Sequence, residues 1–282
     1  MSFCEQTIIK PNFITLIDMK RRSFIKSSVV AAAAGAVVPQ MAMSAENPPA
    51  KGSEFYELRT YILENEHQQR LVENYYEGAA IAALNRSGVE NIGVFTELKP
   101  VGQTKIYVLI PYKSWNDFVT VRDNLANDKE YLEIGEPYLN APATAPAYQR
   151  IESAMLKAFK LMPRMLPPAK NSRIFELRRY EHASESAGIR KLNMFNEGGE
   201  INIFKRLGFN PVFFGETIIG GLRPNLVYML TFEDMDAHDR HWKAFGSDPE
   251  WKRISAIPEN ADAKLVSHIT SVFLTPAACS QI

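Results

Sequence analysis

The sequence predicts an α+β fold: two tandem ferredoxin-like βαββαβ repeats whose sheets lie face to face as an intramolecular α+β barrel. Three observations lead there. A strand-like segment, Phe55-Tyr-Glu-Leu-Arg-Thr-Tyr61, recurs as Ile174-Phe-Glu-Leu-Arg-Arg-Tyr180. Landmarks behind it recur in the same order, with Ile81, Arg86 and Gly88 each 120 positions before Ile201, Arg206 and Gly208. Finally, the third strand of each copy, Ile106–Ile110 and Leu226–Leu230, is apolar on both alternating faces. Such a strand is normally covered on both sides.

The elements follow in order. Each copy opens with a period-two strand, 54–63 and 173–181. A long helix is expected over about 67–86 and 184–207, with Gly88 and Gly208 just past its end, where a positive φ is wanted. A second strand covers about 91–98 and 211–218. A Gly/Pro turn leads to the third strand, 105–112 and 225–232, which sets Tyr107 and Leu109 on Tyr228 and Leu230. The next helix begins near Ser114 and near Asp234; Ser114 with Asp117 has the form of a capping box, Asp standing for the usual Glu or Gln. A short helical turn starts at Asp128 and at Asp248, where Asp248-Pro249 places a cap before a proline. A last strand closes each copy, about 148–156 and 265–274.

Helices cover one face of each four-stranded sheet. At roughly 25 cal/mol per Å2 of apolar surface, leaving the other face wet would forfeit many kcal/mol. The second copy's sheet is the natural cover.

Composition sets outer limits. Lys plus Arg and Asp plus Glu both number 32 among 282 residues. The resulting neutrality argues against a general nucleic-acid binder. The two cysteines, Cys4 and Cys279, lie near the termini and offer no CxxC, zinc spacing or disulfide framework.

The N-terminus has a separate character. Lys20-Arg-Arg-Ser-Phe-Ile-Lys26 contains adjacent Arg21 and Arg22 and precedes an alanine-rich apolar run, Val29–Val38. This resembles a bacterial twin-arginine signal followed by its h-region. It implies export to the periplasm, engagement of the twin-arginine export machinery and cleavage near Ala45; an uncleaved anchor is the alternative. Met19 is then a candidate start. The expected organisation is residues 1–45 extension and signal, 46–53 linker, 54–156 first repeat, 157–172 connector, 173–275 second repeat and 276–282 tail.

The duplicated Glu-Leu-Arg-x-Tyr strand in this layout resembles the NIPSNAP family. That family is similar to the dimeric α/β-barrel superfamily, which includes small monooxygenases, chlorite-dismutase-like haem proteins and EthD-like proteins. By this analogy alone, haem is a cofactor to consider.

Candidate site residues come from the repeated strand. Glu57, Arg59 and Tyr61 share one face, as do Glu176, Arg178 and Tyr180. With the leucines directed to the helices, these faces are expected in the chamber between the sheets. There the carboxylates and guanidiniums either satisfy each other as a structural network or grip an anionic or carbonyl-bearing small molecule. His182 ends its strand where a pocket mouth is expected. His238 and His241 are three apart, a weak metal spacing, and read as solvated surface. Glu197-Gly198-Gly199-Glu200 interrupts a helical pattern. Trp115, Trp242, Trp251, Phe213 and Phe214 read as core.

Three functions fit this reading: a binding protein with a small ligand between its sheets, an oxygenase or haem-linked enzyme, and a non-catalytic interaction module. Self-association is compatible with each.

Overall fold

The computed structural model describes residues 52–171 and 173–282. The signal motif, with Arg21 and Arg22, and most of the linker lie outside the described residues. Among the described residues no helix is long and apolar enough to cross a membrane.

Copy one runs β1 (Phe55–Leu63), α1 (Glu66–Tyr75), a π-helical turn (Tyr76–Ala80), α2 (Ile81–Arg86), β2 (Gly93–Glu97), β3 (Thr104–Tyr112), α3 (Trp115–Asn127), α4 (Lys129–Ile134), α5 (Glu136–Leu139) and β4 (Arg150–Ala158). Copy two runs β5 (Ile174–His182), α6 (Glu185–Phe195), α7 (Glu200–Arg206), β6 (Asn210–Ile219), β7 (Asn225–Phe232), α8 (Met235–Ser247), α9 (Pro249–Ser255), α10 (Asp262–Leu265) and β8 (Val266–Pro276). The caps anticipated from sequence are made: Ser114 Oγ accepts from Asp117 N, and the carboxylates of Asp128, Asp234 and Asp248 accept from the first turns of α4, α8 and α9. Arg206, followed by the backbone amides of Trp251 and Glu250, holds the Asp248 carboxyl down at about 2.

The strands form one closed barrel in the order β1-β3-β2-β8-β5-β7-β6-β4. Each copy contributes a ferredoxin-like sheet, and the second strand of each pairs with the last strand of the other. The edges that two separate sheets would expose are thereby removed.

The long helix of copy one runs on through a π-helical turn, and that of copy two is broken. In copy one a π-helical turn separates α1 from α2. In copy two the helix breaks at Asn196–Gly199, and Gly199 takes φ 92°. This left-handed backbone costs glycine little and other residues more. The Glu197–Glu200 stretch therefore acts as a helix break.

The barrel interior is filled by apolar side chains from both copies, among them Tyr56, Leu58, Phe95, Phe175, Leu177 and Phe213. Tyr56 meets Phe213 with ring centroids 5.1 Å apart, and Phe95 meets Phe175 at 4.8 Å. Both contacts join one copy to the other. One end of the barrel is closed by Met165 of the connector and Ile282 of the tail. Their segments pair with the starts of the second strands, through Leu166 N to Val212 O (2.9 Å) and Gln281 N to Ile92 O (2.9 Å).

This architecture inverts one expectation. Leu58 and Leu177 point into the barrel, while Glu57, Arg59, Tyr61, Glu176, Arg178 and Tyr180 point outward beneath the helices. The physical reason is satisfaction of hydrogen bonds. The barrel interior offers these polar groups little beyond aliphatic and aromatic carbon, whereas the helices bring hydroxyl, indole and ammonium donors over them. A second correction concerns the third strands. Glu57 pairs with Ile110 and Glu176 with Leu230, so Tyr107 corresponds to Val227 and Tyr228 to Val108. Sliding that register by one residue turns every side chain to the opposite face.

Candidate functional site

Two polar networks and one cavity hold the chemistry-bearing groups. In copy one the Glu57 carboxylate accepts from Arg59 Nε (2.7 Å) and Nη2 (2.9 Å), from Tyr112 OH (3.2 Å) and from Ser153 Oγ (3.4 Å). The Arg59 Nη1 donates to Tyr76 OH (3.4 Å). Tyr76 shares a hydrogen bond with Tyr61 (2.9 Å), and Tyr61 with Tyr138 (3.0 Å). Tyr75 stacks on Tyr138 at 3.8 Å and bonds Tyr131 OH. Burial pushes the phenols of Tyr75, Tyr76 and Tyr138 upward, so they stay neutral donors.

Copy two keeps the Glu-Arg pair and changes its surroundings. Glu176, 1% exposed, accepts from Arg178 Nη1 (2.6 Å), Ser271 Oγ (2.7 Å) and Trp242 Nε1 (2.9 Å), and His238 Nε2 stands 3.4 Å away. Strand register and helix caps align Tyr112, Phe118 and Arg122 with Phe232, His238 and Trp242. The donor that Tyr112 supplies in copy one thus passes to the α8 side chains in copy two, where Phe232 has none. Over Tyr180, copy two replaces the tyrosine hydroxyls with charge. The Lys191 ammonium, 1% exposed, lies 3.2 Å from Asp262 Oδ1 and 3.8 Å from Glu200 Oε2. Burial opposes that ammonium, but Glu200 and Asp262 outweigh it and hold Lys191 above its ordinary range. Burial raises the Glu200 carboxyl to about 7, with Lys191 pulling the other way. Both networks are structural in form: each buried charge faces an opposite charge or a donor.

His182 does not stand at a pocket mouth. It is 7% exposed, its Nδ1 lies 3.0 Å from Leu265 O, and burial lowers it below the ordinary imidazole range. His238 is mostly covered rather than solvated, and its Nδ1 is 2.8 Å from Asp239. Of the aromatics read as core, Trp115 is 41% exposed, while Phe213 and Phe214 are fully buried. Among the described residues no group of His, Cys, Asp and Glu is arranged to hold a metal. The residues do not fit a haem either. Five cavities on the described surface are lined by no histidine. The sheet–helix layer of copy two is filled by Phe195, Phe204, Phe214 and Tyr228 in mutual contact.

The cavity between the sheets lies at the barrel's open end, where β1 and β5 finish. Of about 370 Å3, it is lined by Thr60, Ile62, Gln103, Lys105, Tyr107 and Glu152 of copy one and by Leu177, Arg179, Val227, Thr270 and Val272 of copy two. Tyr107 OH donates to Glu97 (2.8 Å), and Lys105 Nζ lies 4.0 Å from the same carboxylate. Arg179 is half-buried and makes no ion pair or hydrogen bond with the described residues. None of the cavity's lining residues was singled out from sequence as a site. The available signal was alternation: the variable position of Glu-Leu-Arg-x-Tyr, Thr60 or Arg179, shares its face with the leucine and not with the arginine.

A barrel closed by strand exchange between two βαββαβ units is the architecture of the dimeric α/β-barrel class, built here within one chain. The NIPSNAP family model matches residues 56–163 and again 175–281. The chain therefore belongs to the NIPSNAP family, with two copies of its domain. No curated protein gives a significant sequence match. Among solved structures, a candidate monooxygenase of Fusobacterium nucleatum subsp. nucleatum is similar at 11% identity and a TM-score of 0.55, over 80% of this chain and 93% of that one. Another, from Lactobacillus acidophilus, is similar at 9% identity and a TM-score of 0.52, over 79% and 94%. A NIPSNAP family protein of Agrobacterium tumefaciens matches 38% of this chain and 94% of its own at 22% identity, with a TM-score of 0.33. At these identities the likeness is one of fold.

Proposed function

We propose that the chain binds a small anionic molecule between its two sheets, at the open mouth of the barrel. The carrying observation is Arg179, a half-buried guanidinium without an ion-pair partner among the described residues, above an apolar floor of Leu177, Val227 and Val272. A cation so placed is well suited to a carboxylate or similar group, and the cavity is within the size range of small-molecule sites. Lys105 adds a second positive charge; Glu152, on the same wall, disfavours ligands of high negative charge. The Glu57–Arg59–Tyr61 and Glu176–Arg178–Tyr180 sets then serve the site indirectly, by fixing the strands that carry Thr60 and Arg179. The two neighbours named as candidate monooxygenases share only the fold, and one fold hosts unrelated chemistries, so no oxygenase activity is carried over from them.

The test is calorimetric titration with butyrate as the probe. Arg179→Ala is expected to weaken binding about 10- to 100-fold, the loss of one charge-assisted contact, with Arg179→Lys intermediate. Equal affinity for wild type and Arg179→Ala would remove the mouth from consideration.

We propose further that the protein is exported through the twin-arginine pathway, on the strength of Arg21-Arg22 and the apolar run Val29–Val38. Replacing Arg21 and Arg22 together with lysine is expected to leave full-length protein in the cytoplasmic fraction of a bacterial host. Undiminished delivery to the periplasm would exclude this route.

A further inference from the structure

We infer that the bound anion carries an apolar tail, and that the tail leaves the barrel sideways through a gap between the two copies. This rests on the mouth reading and specifies its ligand class: a linear amphipathic carboxylate.

The gap follows from an asymmetry of the two seams. At one seam β6 runs through Ile219, and the turn behind it packs onto β4; a Cβ placed at Gly220 would lie 2.9 Å from Ala154 Cβ. At the other seam β2 ends at Glu97, having paired with β8 only from Phe95 to Glu97. The last backbone bond across it is Leu98 N to Phe273 O, 2.8 Å. The turn that follows does not pack down, and nothing lies within 4 Å of a Cβ placed at Gly102. Beyond Glu97 the strand β8 continues toward the mouth without β2 beside it, while β3 begins at Thr104, one position past the partner of Glu97.

A second cavity, about 460 Å3, occupies this gap. On a strand, Ser271 and Phe273 face outward and Val272 inward. All three line the cavity, which lies at the edge of β8 left unpaired by β2. Its other walls are Leu98, Val101 and Met235, with Lys99 and Glu97 as the charged members. Val272 also lines the mouth cavity, so the two volumes share one residue. Between them stands the Glu97 carboxylate, held by Tyr107 OH and near Lys105, both of which line the mouth. A headgroup on Arg179 thus has, in one direction, a polar rim open to water and, in the other, an apolar exit past Val272. The exit suits a hydrocarbon chain, because methylenes gain by leaving water and ask for no hydrogen bonds.

Titrating the full described chain with butyrate and with octanoate tests this. Four further methylenes, each gaining about two- to fourfold when buried, should make octanoate at least about 15-fold tighter. Val272→Trp, which fills the junction, should erase that gain. Met235→Gln, at a half-buried position in the first turn of α8 and outside the mouth lining, should reduce the gain and leave butyrate unchanged. Octanoate binding no tighter than butyrate, or a gain untouched by both variants, overturns the side path while leaving the mouth site standing. Failure of both probes to bind overturns the mouth reading and this inference together.

Discussion

Glu176→Ala is expected to destabilise the protein by about 3–5 kcal/mol, the typical consequence of removing one partner from a buried charged network. The carboxylate is 1% exposed and receives Arg178, Ser271 and Trp242 at 2.6–2.9 Å. Without it, the guanidinium keeps the Tyr180 hydroxyl at 3.3 Å and its place over the Trp242 ring but no carboxylate, and the indole N–H loses its acceptor. Both remain largely covered by α8, so water cannot easily take over. Urea unfolding followed by tryptophan fluorescence reads the loss directly, since Trp242 is itself a donor in the network. A loss below about 1 kcal/mol would mean the pair is solvated, and that the outward face of β5 is not the sealed layer described here. The comparison with Glu57→Ala is informative. Glu57 is 7% exposed and has two longer contacts, at 3.2 and 3.4 Å, so the smaller loss is expected there.

The second large effect is a pH dependence from Glu200. Its ordinary value of 4.5 is raised to about 7, chiefly by burial, so the folded state binds its proton more tightly than the unfolded chain does. The associated stability is fully present below about 4.5 and is lost as pH rises through about 7. A shift of that size corresponds to roughly 3 kcal/mol across the window, as an order of magnitude. Lys191 and Arg178 act on Glu200 in the opposite sense and Asp262 in the same sense, so the slope belongs to the cluster. Glu200→Gln is the clean comparison because it keeps shape and removes titration. Between pH 5 and pH 8 the wild type should lose stability relative to Glu200→Gln, with the difference between the two curves flattening below pH 5. Parallel curves across that range would show that the carboxyl titrates at its ordinary value and is reached by water.

Glu200 also shows how the copies diverged. It corresponds to Ala80 in copy one, where the helix continues through a π-helical turn and tyrosines fill the layer. In copy two the helix breaks at Gly199 and a Lys–Glu–Asp cluster occupies the equivalent space. Substituting a carboxyl for a methyl at that position is tolerable because Lys191 of α6, on the other side of the break, meets it.

Much of the fold was legible in residues alone. The repeat of Glu-Leu-Arg-x-Tyr and the glycines at 88 and 208 set the element order, because local propensity and period are written into short windows. Gly88 and Gly208 do take positive φ, at 84° and 80°. Doubly apolar third strands required cover on both faces, and the closed barrel provides it. The side to which Arg59 and Arg178 point was not legible. Alternation assigns residues to two faces but carries no label for which face is the barrel. Only the closure of β2 onto β8 and of β6 onto β4 made one face a mostly apolar interior with a polar mouth and left the other to be satisfied by helices. That same closure, incomplete past Glu97, turned the variable residue Arg179 and inward Val272 into the lining of a site. Such a site depends on strands far apart in the chain ending at different heights, which no local pattern records.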